Sequence, residues 1–190
     1  MELKRYTMIK IELLEVAGLA SVMLALRLPY GKSARSYVES EATYSLARKE
    51  FITRTKVVPN ENDMKLIETL VKNGDEHAKV LRGMVVWLEI TAPIWFYREL
   101  ETYRVGRERL SSESTMHIEC RGLSGEELEK AKNEIPSGYS QTTVDMYSYQ
   151  TLRRIYFQRR NHRLPMWHDF CSFIETLPFA KEFIICQREK

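Results

Sequence analysis

The sequence predicts an α+β fold, and three observations carry that prediction. Alternating or β-branched apolar runs at residues 6–16, 51–58 and 84–90 have the character of strands. Apolar residues three and four apart at 60–73, 144–160 and 165–177 have the period of helices. Prolines and glycines punctuate the boundaries, notably at 28–31, 74, 106, 136–138 and 178. A length of 190 residues makes a single domain over 1–190 the default, large enough to bury a real core.

Composition narrows the class. Charge is high but balanced, at net +3, which is too mild to argue for nucleic acid as the partner. Cys120, Cys171 and Cys186 share no Cys-x-x-Cys spacing. An odd count of that kind predicts reduced thiols in a cytosol-like, cytoplasmic setting. No apolar run approaches the roughly 18 residues of a membrane span. Lys4 and Arg5 are followed by no long apolar core, so the N-terminus does not read as a signal peptide. No metal set is visible among the four scattered histidines, and no Gly-x-Gly-x-x-Gly, Walker loop or nucleophile elbow occurs.

In chain order, Ile9, Ile11 and Leu13 alternate with Lys10 and Glu12 as in a half-buried strand. Val16, Leu19, Ala20, Met23 and Leu24 then switch to helical spacing, and Leu28-Pro29-Tyr30-Gly31 stops that helix. The loop 31–36 carries Lys32, Ser33 and Arg35, a possible phosphate clamp whose ordinary reading is a surface turn. Residues 43–58 are ambiguous: the first half fits a helix, and 51–58 looks extended. Asn60 and Asp63 resemble a capping box. Met64, Ile67, Leu70 and Val71 form the stripe of the helix that follows, with Gly74 just past its end and His77 beyond.

Residues 84–90 read as a buried strand that feeds the most chemical stretch of the chain, 90–117. Ala92-Pro93 reads as a helix start. Ile94, Tyr97, Leu100 and Tyr103 continue a helix to about Arg104, and Gly106 stops it. Arg98, Thr102 and a loop over 104–114 are expected to meet at that helix end. Guanidiniums beside serine hydroxyls suit an anion, most naturally a phosphate. The alternative is a solvated helix end whose arginines pair with Glu99, Glu101 and Glu108. Met116, Ile118 and Cys120 then alternate with His117, Glu119 and Arg121, predicting another strand with Cys120 in the core. Ser124 with Glu127 makes a capping box for a short polar helix to about 133, and 135–141 reads as a loop.

A helix is expected over 144–160, burying Leu152, Ile155 and Tyr156. It ends in a second cluster: Arg159, Arg160, Asn161, His162 and Arg163. A cationic helix end complements the helix dipole, which also favours a charged His162. Pro165 starts a helix with Trp167, Phe170, Cys171, Ile174 and Leu177 on one face, and Pro178 breaks it.

Ala92-Pro93-Ile94, Arg98-Glu99 and Thr102-Tyr103-Arg104 fall, without a gap, at the spacings of a known signature. It resembles that of the flavin-dependent thymidylate synthases: Ala-Pro-Ile, Arg-Gln, Arg-His-Arg and, after seven residues, Ser. Ser112 stands at the serine's spacing. Alternatively Ser111-Ser112-Glu113-Ser114-Thr115 resembles that family's Asn-Glu-Glu-Ser-Thr, which puts the serine at Ser114. The resemblance reaches upstream to Leu66-Ile67 and downstream to Phe183, and it is sharp only over 92–114. Thr102, Tyr103 and Glu99 replace the motif's Arg, His and Gln. Cys171 or Ser172 replaces the arginine that activates the uracil ring. The chain thus resembles divergent, phage-borne versions, for which the compartment would be the host cytoplasm.

The resemblance implies a mostly antiparallel sheet flanked by helices and a homotetramer with sites built from several subunits. It implies C5 methylation, or a related C5 modification, of a pyrimidine deoxynucleotide such as dUMP. FAD, NADPH and methylenetetrahydrofolate would be the cofactor and co-substrates. Arg98, Glu99, Thr102, Arg104, Ser112 and Ser114 would hold the nucleotide, the two serines also serving catalysis. Tyr103, Arg104, Arg107, Glu113, Arg160, Asn161 and His162 would hold the flavin, with Tyr103 stacking on a ring. Glu99 in place of Gln offers only acceptors, which would select an amino-bearing ring edge such as that of cytosine. The run Trp95-Phe96-Tyr97 cannot all face one core, which also points to a partner copy. Two rivals stand beside this reading: a non-catalytic nucleotide-binding relative that has lost FAD, and a nucleic-acid module using the 159–163 patch.

Overall fold

The computed structural model describes residues 8–31, 37–45, 50–58 and 60–186. The loop residues Lys32, Ser33 and Arg35 lie outside the described residues. Six strands and six α-helices are formed among the described residues: β1 (Lys10–Ala17), α1 (Leu19–Arg27), β2 (Tyr37–Ser45), β3 (Glu50–Val58), α2 (Glu61–Lys72), β4 (Val85–Pro93), α3 (Ile94–Leu100), β5 (Arg107–Ser112), α4 (Gly125–Glu134), β6 (Ser140–Ser148), α5 (Tyr149–Arg159) and α6 (Pro165–Glu175). Four strands make one antiparallel sheet in the order β1-β4-β6-β5, and β2 and β3 form a separate hairpin. Within the ambiguous stretch 43–58, the described residues 43–45 and 50–58 are strand and not helix. No helix among the described residues is long and apolar enough to cross a membrane.

One face of the sheet is the core face. Val86, Leu88, Ile90 and Ala92 of β4 alternate inward and are buried, while Val85, Trp87, Glu89 and Thr91 are half-buried. Opposite residues in an antiparallel ladder share a face, so Asp145 (opposite Leu88) and Thr143 (opposite Ile90) also point into the core. The helix expected over 144–160 thus begins only at Tyr149, and 144–148 belong to β6. Two of its inward positions are polar, Thr143 and Asp145, with only Tyr147 carrying an apolar ring inward, so the two-residue hydrophobic period does not show.

Helices α3, α5 and α6 supply the other side of the core. Phe96 of α3 meets Trp167 of α6 at 4.7 Å between ring centroids, and Phe170 reaches Tyr147 of the sheet at 6.2 Å. Such tilted and edge-on pairs add to the burial of large rings. Phe96 and Tyr97 are both buried within this one chain, and Trp95 is half-buried. Two of the three aromatics are thus covered within one chain, and Trp95 keeps a partly open face.

Local chemistry fixes the ends. Asn60 Oδ1 accepts from the Asn62 amide, capping α2. Asp63, expected in a capping box, is fully buried and holds Arg27 of α1 by the Nε hydrogen bond at 2.6 Å. Pro93 ends β4 and is the N-cap of α3, one residue earlier than the first-turn position expected. Ser124 is the N-cap of α4 but its side chain makes no capping bond. The expected strand at 116–120 is a series of turns: Met116 and Ile118 are about half exposed and Cys120 alone is buried.

Candidate nucleotide-binding site

The expected loop over 104–114 is mostly β5, an edge strand. Its entry turn is seated on the start of α5: the Ser148 amide donates to Gly106 O at 2.7 Å and Thr151 Oγ1 to Val105 O at 2.6 Å. Gly106 has φ 78°, and a Cβ there would lie 2.6 Å from Ser148 Oγ, so only glycine fits. The strand is then anchored by a buried charge network. Asp145, fully buried, accepts from Arg107 Nε at 2.9 Å and from Arg107 Nη2, from Arg109 Nε at 3.3 Å, and from the Tyr147 hydroxyl at 3.1 Å. Glu101 lies 3.2 Å from Arg107 Nη1. It lies 3.1 Å from Arg109 Nη2, close enough to attract but not aligned as a hydrogen bond. Arg109 also stacks over Tyr97, 4.8 Å from its centroid. Arg107, expected at a flavin, is thus spent inside the chain.

A bulge at Leu110 shifts the register, so Ser111 lies opposite Val144 and Ser112 opposite Thr143. Without the bulge Ser111 would share the face of Arg107 and Arg109; with it, Ser112 does. Ser112 is exposed and Ser114 half-buried. Between them Glu113 is tied down, its Oε2 accepting from the Thr142 amide and its own amide donating to Thr142 O, both at 2.8 Å.

A second network joins the two clusters found in the sequence. Glu99 Oε2 accepts from Trp167 Nε1 at 2.7 Å and from Arg159 Nη1 at 3.2 Å. Arg159 Nε donates to the Tyr103 hydroxyl at 2.8 Å, which donates in turn to Gln158 Oε1 at 2.9 Å. The Arg159 guanidinium lies 4.5 Å from the Trp167 ring centroid and 5.5 Å from that of Tyr103. Tyr103 is therefore buried and already stacked within the chain, with no open face for a flavin or a base. Thr102 Oγ1 donates to Glu99 O within its own helix end.

The rest of the basic cluster divides. Arg160 packs over Phe157, 5.0 Å from its centroid, and Asn161 is exposed. His162 lies edge-on to Trp167, with Nδ1 accepting from the Leu164 amide at 3.3 Å. Arg98 is exposed, and the Arg104 side chain is 81% exposed, 3.9 Å from Glu101.

These placements separate residues expected to act together. Arg104 stands before β5 and Ser112 at its far end, and five strand steps span roughly 17 Å. The link between clusters runs through Glu99, Arg159 and Trp167. The pairing of Glu101 with Arg107 and Arg109 follows the alternative expected for this helix end, whereas Gln158 and Asp145 are singled out by nothing local, since each binds a side chain 36 or more positions away.

No family model matches the chain, and no curated protein matches it. Solved structures do. A flavin-dependent thymidylate synthase of Helicobacter pylori, crystallised with FAD and dUMP, superposes with a TM-score of 0.66 at 15% identity, covering 94% of this chain and 100% of that one. A second structure of the Helicobacter pylori enzyme, also with FAD and dUMP, gives 0.66 at 13% identity over 93% and 96%. A UMP/dUMP methylase of Streptomyces cacaoi, bound to 5-bromo-dUMP, gives 0.57 at 12% identity over 88% of each chain. The fold is that of the flavin-dependent thymidylate synthases. At these identities the likeness speaks for architecture, and the side chains above must speak for chemistry.

Proposed function

We propose that this protein binds a pyrimidine deoxynucleotide such as dUMP and catalyses its C5 methylation or a related C5 modification, as a homo-oligomer whose sites combine residues of neighbouring copies. The observation that carries this reading is the set of accessible donors at the motif positions: Arg98, Arg104, Ser112 and Ser114 are exposed or half-exposed on a fold matched over nearly its whole length. Each guanidinium offers a planar fork to a phosphate, and each hydroxyl a short bond to a phosphate or ring oxygen. The roughly 17 Å length of β5, with Arg104 before it and Ser112 at its far end, favours a site completed by a second copy, and a tetramer is the arrangement the motif resemblance implies.

FAD fits this chain in part. Tyr103 and Arg107 are engaged in the protein's own core, while Arg104, Arg160, Asn161 and His162 remain at the surface and would hold its phosphates and ring edges. When bound, the flavin and methylenetetrahydrofolate would supply the reducing equivalents and the one-carbon unit, with NADPH as reductant. The chain's own residues would grip the phosphate through Arg98 and Arg104 and orient the nucleotide through Ser112 and Ser114.

The internal commitment of Tyr103, Arg107 and Glu99 favours a second reading, in which the chain binds the nucleotide without flavin and does no chemistry. The absorption spectrum of the purified protein after FAD addition, followed by dUMP titration, separates the two. A bound-flavin spectrum perturbed by dUMP supports the enzyme. Nucleotide binding with all FAD removed on a desalting column supports the second reading, and binding of neither overturns both.

A further inference from the structure

A depression of about 390 Å³ lies between the turns at 115–122, α4 and the loop at 135–139. Ala131, Ile135, Pro136 and the Tyr139 ring give it apolar walls, and its charged lining is Glu119 and Glu134, with no lysine, arginine or histidine. Sites for small molecules have this size, about 300–1,000 Å³, and this pattern of apolar walls with a few polar groups. The Tyr139 hydroxyl donates to Glu119 Oε1 at 2.8 Å. Burial, and then the bond and charge of Glu119, push that phenol up to about 12, so it stays a donor at neutral pH. Glu119 is thereby held in one orientation with its other oxygen left as an acceptor. Lys132 of α4 donates to Thr115 Oγ1, and neither it nor Lys130 lines the depression. A nucleotide phosphate would be repelled here, so the depression has no part in the anion chemistry assigned to Arg98 and Arg104.

We propose that this depression is a separate binding site for a flat aromatic ligand bearing an amidine-type edge, two parallel N–H donors that meet a carboxylate as a guanidinium does. The paired N–H groups match the two lone-pair directions of a carboxylate, and the ring would lie against Ile135 and Pro136. A basic side chain of another protein has the same donor head but no ring to cover the apolar walls, so the ring distinguishes the two sources.

Benzamidine is a suitable probe, titrated calorimetrically into the full chain. It is expected to bind at least about tenfold more tightly than benzyl alcohol, benzoate or methylguanidine, the scale of one charge-assisted bond. Glu134→Gln is expected to weaken it several-fold, as is Glu119→Gln, whose amide carbonyl still receives Tyr139; dUMP should not compete. If benzamidine binds no more tightly than benzyl alcohol, or methylguanidine binds equally well, the proposal falls. It falls also if dUMP displaces benzamidine, which would place the probe in the nucleotide site. Should Glu119→Gln fail to fold, Glu134→Gln decides alone, and parent-like binding by that variant overturns the assignment.

Discussion

Asp145→Ala is the perturbation that most directly tests how β5, and with it Ser112, is held. Asp145 is fully buried, and the Arg107 side chain it holds is 3% exposed. The change leaves Arg107 and Arg109 without that counter-charge and the Tyr147 hydroxyl without its acceptor. Removing one member of a buried ion pair costs about 3–5 kcal/mol, because the surviving charge stays desolvated. Glu101 remains beside both arginines, which pulls the expectation toward the lower end. For a chain of this length each kcal/mol lowers Tm by about 2–4 °C, so a fall of roughly 6–20 °C is expected. Thermal unfolding followed by circular dichroism measures it, with Arg163→Ala, an exposed change, as a control expected to stay within about 0.5 kcal/mol. A loss under about 2 °C for Asp145→Ala would refute the argument that this network anchors the strand.

Gly106→Ala forces a side chain into a positive-φ position against Ser148 Oγ; a loss of about 2 kcal/mol or more in urea unfolding is expected from strain and overlap, and parent-like stability would show that the turn relaxes freely. Burial pushes Tyr97 up to about 12, so the fold favours its protonated form. That contribution is complete below pH 10 and is lost as pH rises from about 10 to about 12, so the urea midpoint should fall across that window, less steeply in Tyr97→Phe. Burial, and then the charge of Glu175, push the Cys171 thiol up to about 11, and Cys120 is also buried. A thiol reagent at pH 8 should therefore titrate no more than Cys186 in the native protein and all three cysteines in denaturant.

Apolar periodicity made β4 and α6 legible, because there the buried residues are apolar and the period is undisturbed, and it carried α2 through Ile67 and Val71 despite the buried Asp63. It failed where the interior is polar. β6 turns Thr143 and Asp145 inward, and β5 turns Arg107 and Arg109 toward Asp145, so one read as helix and the other as loop. It also failed in the opposite sense at Met116 and Ile118, whose alternation with polar residues resembles a strand although both face solvent. Of the site, the motif spacing identified which residues to inspect, and the residues themselves fell into two groups. Arg98, Arg104, Ser112 and Ser114 are accessible, whereas Glu99, Tyr103 and Arg107 close on Arg159, Trp167 and Asp145. Such long-range pairings carry no local sequence pattern, since either partner alone looks like an ordinary surface charge.

The central claim is that the motif arginines grip a pyrimidine nucleotide. Its most direct test is calorimetric titration of dUMP, and of dCMP for the amino-bearing alternative at Glu99, into the parent and into Arg104→Ala. Losing one charge-assisted contact removes about 1.5–3 kcal/mol, so the variant should bind roughly ten- to a hundredfold more weakly with its fold intact. Identical dissociation constants for parent and variant, or no binding of either nucleotide to the parent, would contradict the account.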